Sequence, residues 1–229
     1  RHYLLAAQSG LPLAMHFAGM RLLKGAGHPA EPERGIELIR QASDAGFARA
    51  TLELAVAYYK GSLFAQDPVR ALQLMEKAAA QGSARAYDNL GKIHFFGLMG
   101  DTDLAKAEAA FSKAVDLGFN GSLVNLALVQ SDPDFPGQDI RAAEQSLRRA
   151  VETQQPGAVL ELGYLLREEP ALGAAAEEIT SLYEKAAEQG DAEGLGGYGL
   201  RLVRGEGVPA DPARGLALMK QAVEGGHAW

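Results

Sequence analysis

The sequence predicts an all-α chain, an α/α solenoid of stacked helical hairpins with a 36-residue period. Three observations carry that prediction. The first is a set of residue series that recur every 36 positions without an insertion. One is Gly10, Gly46, Gly82, Gly118, Gln154, Gly190, Gly226, and a second is always small: Gly19, Ala55, Gly91, Ala127, Gly163, Gly199. Ala6, Ala42, Ala78, Ala114, Ala150, Ala186 and Ala222 form an invariant third, and Tyr3, Ile39, Met75, Phe111, Leu147, Tyr183, Met219 a fourth that is always large. Ala18, Leu54, Leu90, Leu126, Leu162 and Tyr198 complete the set. The second observation is compositional. Ala, Leu, Glu, Gln and Arg dominate, which favours helix, yet there are 27 glycines, each costing about 1 kcal/mol in a helix interior. The conflict disappears if glycines sit at fixed points between helices and at close contacts. The third is a phased helix-start signal, Glu31, Asp67, Asp103, Asp139, Ala175, Asp211, followed directly by Pro32, Pro68 and Pro212 at three of the slots.

Taken along the chain, residues 1–11 hold the second helix of a partial unit, Arg1 to Ser9, closed by Gly10. Six units follow at 12–47, 48–83, 84–119, 120–155, 156–191 and 192–229, together one solenoid over residues 1–229. Each has a first helix with the small slot, a turn, and a second helix with the invariant Ala. The third unit is the plainest. Tyr87, Leu90, Ile93 and His94 follow helical spacing, and Gly97 ends the helix as a residue needing positive φ would. Asp103 then caps a helix carrying Ala107, Phe111, Ala114 and Val115, which Gly118 ends. In the fourth unit Ser131–Asp132–Pro133–Asp134 replaces the glycine turn; in the fifth, Glu169–Pro170 interrupts and the acidic cap is missing. The sixth crowds Gly194, Gly196, Gly197 and Gly199 into its first helix, which predicts a locally soft helix or very close approach by another backbone. A chain that begins inside a helix, without Met, and stops just after Gly226 is expected to be a piece of a longer protein, with any signal peptide or lipid anchor upstream.

The segment Ala86–Tyr87–Asp88–Asn89–Leu90–Gly91 through Gly97 resembles Sel1-like repeats, relatives of the tetratricopeptide repeat. So do Asp67 and Ala71 leading to Lys77–Ala78–Ala79 and Gly82, and Gly205–Glu206–Gly207–Val208–Pro209 followed by Asp211, Ala213 and Gly226. The resemblance covers the whole chain. It implies a right-handed superhelix whose concave face, lined by first helices, binds another protein. It further implies a bacterial adaptor in envelope assembly, polysaccharide export, signalling or host interaction, with the periplasm or cell envelope slightly favoured and the cytoplasm possible. An alternative is a periplasmic immunity or inhibitor protein that sequesters a secreted toxin; another is a protein that binds glycans or cell-wall fragments. The cell-wall alternative is weakened because this chain lacks the paired cysteines of the relatives credited with it.

Composition closes off much chemistry. The absence of Cys removes disulfides, thiolate zinc sites, iron–sulfur ligation and thiol nucleophiles. A net charge of −7 and no Lys/Arg stripe with interleaved aromatics argue against nucleic acid. No apolar run reaches the length of a membrane span, so no direct membrane insertion is expected. No two of His2, His16, His28, His94 and His227 stand three or four apart, so no helix offers a metal two imidazoles. His94 shares a slot with Leu22, Tyr58, Leu166 and Leu202 and reads as a satisfied core histidine, while His16 falls on the candidate ligand face. Gly25–Ala26–Gly27 and Gly205–Glu206–Gly207 read as helix-to-helix turns rather than phosphate loops, because neither follows a strand. Glu168–Glu169 and Glu177–Glu178 are sequence neighbours that diverge on a helix, hence solvated surface. No Gly-x-Ser-x-Gly occurs. The chain is therefore read as a non-enzyme that needs no cofactor.

The binding face is expected where residues vary at fixed phase. Five first-helix columns do so: Leu13, Arg49, Arg85, Gly121, Gly157, Glu193; His16, Leu52, Asp88, Val124, Leu160, Gly196; Met20, Val56, Lys92, Leu128, Tyr164, Leu200; Leu23, Tyr59, Phe95, Ser131, Arg167, Val203; and Lys24, Lys60, Phe96, Asp132, Glu168, Arg204. From these, Arg49, Tyr59, Lys60, Arg85, Asp88, Lys92, Phe95, Phe96, Tyr164 and Arg167 are the candidate contact residues. Tyr59, Phe95 and Phe96 are expected to be exposed and contiguous, flanked by cations, as aromatic and arginine anchors are in interfaces. Joint replacement of Tyr59, Phe95 and Arg85 is expected to abolish binding without unfolding.

Overall fold

The structure, a computed structural model, describes residues 6–25 and 29–224. The expectations placed on residues 1–5, Ala26, Gly27, Gly226, His2, His28 and His227 lie outside the described residues. In order, the α-helices are α1 (Pro12–Lys24), α2 (Pro32–Asp44), α3 (Ala48–Lys60), α4 (Pro68–Ala80), α5 (Ala84–Phe96), α6 (Leu104–Asp116), α7 (Leu123–Ser131), α8 (Ile140–Glu152), α9 (Ala158–Glu168), α10 (Ala176–Glu188), α11 (Ala192–Arg204) and α12 (Pro212–Glu224). Short 3-10 turns at Asn120–Ser122 and Pro170–Leu172 precede α7 and follow α9. No strand occurs among the described residues. The fold is thus all-α, in hairpin repeats of the predicted period.

Two compact units divide the chain at a repeat boundary, Arg1–Phe119 and Asn120–Trp229. In the first unit α1 packs on α2, α3 on α4 and α5 on α6, and successive hairpins join through α2–α3 and α4–α5. In the second, α7 packs on α8, α9 on α10 and α11 on α12, joined through α8–α9 and α10–α11. The invariant Ala and the large slots form the cores. Ala42, Ala78, Ala114 and Ala150 are wholly buried, as are Ile39 and Phe111 in essence, because the second helix turns this stripe inward between two first helices.

The caps behave as the acidic slot predicts wherever the side chain is Asp. Asp67, Asp103, Asp139 and Asp211 each accept from the backbone N–H three residues on, at 2.9 to 3.0 Å. Glu31 does not cap α2. Its extra methylene carries the carboxylate past those N–H groups, and it pairs with Arg34 at 3.1 Å instead. The two irregular units show why their sequences depart. α7 has nine residues and ends at Asp132 in extended backbone, where Asp134 N–H donates to the Asp132 carboxylate at 2.8 Å. Pro170 follows α9 and opens the 3-10 turn.

For the glycine-rich α11 the structure shows close approach. A Cβ on Gly199 would lie 2.7 Å from the Gly215 carbonyl oxygen, backbone against backbone. Gly19 and Gly35 repeat this pair at the same phase in the first hairpin, with 2.6 Å for the same contact. Helices α1–α2 and α11–α12 therefore cross with glycine backbone facing glycine backbone, flanked by Ile39 in the one crossing and Met219 in the other.

Candidate partner-binding clefts

The first-helix face of the Arg1–Phe119 unit carries two clefts that share Arg49 and Glu53. One, of about 530 Å³, is lined by Ala48, Arg49, Leu52, Glu53, Ser83 and Arg85. The other, of about 250 Å³, is lined by His16, Phe17, Met20, Arg21, Lys24, Arg49 and Glu53. Arg49 and Arg85 sit at one slot of successive first helices, and the structure brings them to one cleft as their shared phase requires. Their joint is the Glu53 carboxylate: His16 Nε2 lies 2.7 Å from Oε2, and Arg49 Nε lies 3.4 Å from the other oxygen. Burial pushes the Glu53 carboxyl up, but the contacts to His16 and Arg49 outweigh it and hold it below the usual carboxylate range.

Several sequence expectations need correction here. His16 is the buried histidine, 1% exposed, seated against the rings of Phe17 and Phe47. His94 is only half-buried, although Leu22, Tyr58, Leu166 and Leu202 at the same slot are buried. The whole column of His16, Leu52, Asp88, Leu160 and Gly196 is buried, with Val124 partly so. That column faces the neighbouring hairpin: Leu52 packs with Ala79, Ala86 and Leu90. Asp88, 2% exposed, is accordingly not a contact residue but the partner of Lys92, at 2.7 Å. Tyr59 is half-buried against the core of α3, α4 and α5, and Phe95 is half-buried as well. Phe96 alone of the three aromatics stands out, 57% exposed, with its ring edge-on to Phe95 at 4.9 Å. None of the three lines either of the two clefts just described. Arg85 instead stacks over Phe119, and Lys60 is exposed.

Sequence reasoning missed the neighbouring column, Phe17, Glu53, Asn89, Asn125, Glu161, Gly197. It varies at fixed phase as much as the columns that were chosen, and it supplies cleft residues in both units. The signal was present; transferring positions by analogy put one of the five columns, that of His16, one residue off, while the others supply Arg49, Arg85, Tyr164 and Arg167 to the clefts.

The Asn120–Trp229 unit carries its own clefts. One of about 210 Å³ is lined by residues including Leu128, Ser131, Glu161, Tyr164 and Glu168. Burial, then the negative charges of Glu193 and Asp191, raise the Glu161 carboxyl above its ordinary value. A second, of about 230 Å³, lies between α9 and α11 and is lined by Tyr164, Arg167, Tyr183, Glu193, Gly197, Leu200, Arg201, Arg204 and Glu206. Here the structure does bring two predicted residues together. The Arg167 guanidinium lies 5.0 Å from the centre of the Tyr164 ring, and the Tyr164 hydroxyl donates to Glu193 at 2.6 Å. Burial, the Glu193 bond and its charge push the Tyr164 phenol well above its ordinary range, so it stays a neutral donor.

No group of three His, Cys, Asp or Glu suited to a metal occurs among the described residues. Among them, too, no helix is long and apolar enough to cross a membrane.

The comparisons with known proteins agree with this geometry. The chain is 24% identical to c5321, a protective antigen present in uropathogenic Escherichia coli strains and displaying an SLR fold, with a TM-score of 0.86. That match covers 99% of this chain and 48% of the antigen, so the chain spans about half the antigen's length. A Sel1 repeat protein from Oxalobacter formigenes is similar at 21% identity and TM-score 0.71, over 93% of this chain and 85% of the other. The immunity protein Pa5087 from Pseudomonas aeruginosa, 19% identical over 93% of this chain and 80% of its own, reaches a TM-score of only 0.45 and lends no weight to any reading. At these identities the likeness is one of fold. No curated protein matches the sequence. The Sel1 repeat family model matches residues 12–47, 48–83, 84–119, 181–191 and 192–227, leaving out most of the two irregular units. With more than half of its length matched in phase with its own repeats, the chain belongs to the Sel1 repeat family.

Proposed function

We propose that this chain is a non-enzymatic scaffold that binds another protein through the first-helix faces of its repeats. One observation carries the reading. Packing slots keep one chemistry from repeat to repeat, whereas the first-helix slots that line clefts change theirs: Phe17, Glu53, Asn89, Asn125, Glu161, Gly197 at one phase, and Leu13, Arg49, Arg85, Gly121, Gly157, Glu193 at another. A surface under no constraint other than solubility does not cluster arginine and carboxylate around concave openings at one phase. Within the Arg1–Phe119 unit the cleft between Arg49 and Arg85 is the strongest candidate, with Lys60, Lys92, Tyr59, Phe95 and Phe96 as its proposed flank.

Arg49 and Arg85 are exposed, so changing them tests contact rather than folding. The triple replacement that includes Tyr59 does not, since Tyr59 packs on the core. The test is capture of partners from a lysate by the chain and by R49E/R85E, followed by affinity measurement on the captured protein. We expect the double variant to keep its helical circular dichroism and to lose about tenfold or more in affinity. Unchanged affinity with both charges reversed would remove the Arg49–Arg85 cleft from the interface, and the absence of any saturable protein partner would end the scaffold reading.

A further inference from the structure

The cavity between α9 and α11 holds a polar group that the fold does not use. The Tyr183 side chain is 1% exposed, and its hydroxyl is buried without a hydrogen-bond partner. Its slot carries Ile39, Met75, Phe111, Leu147 and Met219 in the other full repeats, with a second tyrosine at Tyr3 in the partial unit, so the hydroxyl is an addition that packing of a full repeat does not need. Two further departures from the repeat meet it there. Gly197 replaces the Phe, Glu or Asn of its column, and a side chain at that point would run into the Tyr183 ring. Arg201 is charged where Ala57, Ile93, Val129 and Leu165 are apolar, a slot that carries arginine also at Arg21 in the first unit. What sets this place apart is that the three converge on one opening.

The chemistry of its walls favours an anion of low charge. Arg201 is already satisfied, donating to Thr180 at 2.6 Å and to the Ala176 carbonyl at 3.2 Å and pairing with Glu206 at 3.2 Å, so it is fixed wall. Arg204 reaches Glu206 only at 3.5 Å. Arg167, 44% exposed, lies over the Tyr164 and Tyr183 rings and holds Glu168 at 2.7 Å on the solvent side, from which an entering group can displace it. The lining carries Arg167, Arg201 and Arg204 against Glu193 and Glu206, an excess of one positive charge. That suits one carboxylate better than a dianionic phosphate. We propose that this cavity takes a single carboxylate of a partner protein, from an acidic side chain or a chain terminus, with the Tyr183 hydroxyl donating to it and Arg204 and Arg167 flanking. The proposal deepens, and rests on, the reading of the first-helix faces as the contact surface.

The test titrates the whole chain, followed by NMR of backbone amides, with four probes: acetyl-Gly-Glu-Gly-amide, acetyl-Gly-Gly-Gly with a free carboxylate, acetyl-Gly-Gln-Gly-amide and inorganic phosphate. Saturable shifts at Tyr164, Gly197 and Arg204 are expected with an acidic peptide and not with the glutamine one. Whichever acidic peptide binds more tightly assigns the source of the carboxylate. Tyr183→Phe should keep or raise the melting temperature, because it removes an unpaired buried hydroxyl, yet weaken the acidic peptide by about tenfold or more. Arg204→Gln should weaken it as well. The site is refuted if neither acidic peptide binds, if phosphate binds more tightly than both, if the glutamine peptide shifts the same amides, or if Tyr183→Phe binds as the parent does or melts lower. Peptide binding does not need the natural partner. A chain that captures a partner through Arg49 and Arg85 but binds no acidic peptide would lose this site and keep its scaffold function.

Discussion

The same repeat slots solve the same problem differently in the two units. In Arg1–Phe119 consecutive first helices are tied by His16 and Glu53, a buried imidazole against a carboxylate at 2.7 Å. In Asn120–Trp229 the equivalent slots carry Leu160 and Gly197, and the tie moves along the helix to Tyr164 and Glu193, at 2.6 Å. Moving the bond leaves glycine at the Gly197 slot, and the Tyr183 ring takes the place that a side chain there would fill. Where the period repeats a shape, each pair of helices still chooses which slot carries polar chemistry. Phase fixes position; it does not fix role.

The largest expected effect tests whether a small slot is small for the same reason throughout. At Gly199 and Gly19 an added methyl meets backbone oxygen at 2.7 and 2.6 Å, which cannot yield without moving a helix. At Gly163 the nearest atom is the Leu182 Cβ at 3.5 Å, an ordinary contact. Gly199→Ala and Gly19→Ala should each cost about 1–3 kcal/mol, while Gly163→Ala should be neutral or gain up to about 1 kcal/mol from helix propensity. Urea unfolding of the three variants decides it; equal costs at all three would mean that backbone proximity does not set the slot.

Next come the two ties. Glu53→Ala leaves the buried His16 without its partner and should cost about 1–3 kcal/mol at neutral pH. Glu193→Ala should cost less, about 1 kcal/mol, because the half-buried Tyr164 can turn to water. The Glu53 carboxyl is held below its unfolded value of 4.5, so its contribution is present above that pH and is lost as pH falls through the folded value. The penalty of Glu53→Ala should therefore shrink in acid. Glu161 runs the opposite way. Its carboxyl is raised by burial and by Glu193 and Asp191, so what it adds is present at low pH and lost as pH rises through its folded value. Glu161→Gln should thus stabilise the protein slightly near neutral pH and leave it unchanged in acid. Parallel unfolding curves at neutral and acidic pH would show both signs, and a penalty for Glu53→Ala that grows in acid would break the assignment.

The periodic part of this molecule was legible because packing repeats. Ala42, Ala78 and Ala114 are buried for one reason, stated once per unit, and the helix bounds follow from Asp caps and closing glycines. The site was less legible because it is made of departures. His16 falls on the ligand face by phase, yet its column is buried, and its polar partner Glu53 reaches across from the next helix, which no pattern within one repeat encodes. Arg167 and Tyr164 could be placed by phase. Their partner Tyr183 could not, since its slot reads as core and only its hydroxyl differs. The glycines of α11 were an anomaly visible in advance, and their meaning, close approach by backbone at Gly199 and by the Tyr183 ring at Gly197, needed the neighbouring helices.

The smallest expected effect concerns the turn that follows each second helix. Gly46, Gly82, Gly118 and Gly190 all take φ between 80 and 88°, whereas Gln154 holds the slot at 55°, alone among described non-glycine residues in having positive φ. The Gln154 side chain is exposed and the turn is closed by its backbone, whose N–H donates to the Val151 carbonyl at 3.0 Å. A side chain in left-handed backbone costs about 1–2 kcal/mol, part of which glycine gives back through its freer unfolded state. Gln154→Gly should therefore stabilise the Asn120–Trp229 unit by about 0.5–1 kcal/mol, and the mirror change Gly118→Gln should destabilise the Arg1–Phe119 unit by a similar amount. The two substitutions exchange the units' residues at one slot, so their shifts in urea midpoint should be opposite in sign. Shifts of the same sign would mean that Gln154 does more than close the turn, and would put the equivalence of the slots in doubt at the point where the repeat looks most mechanical.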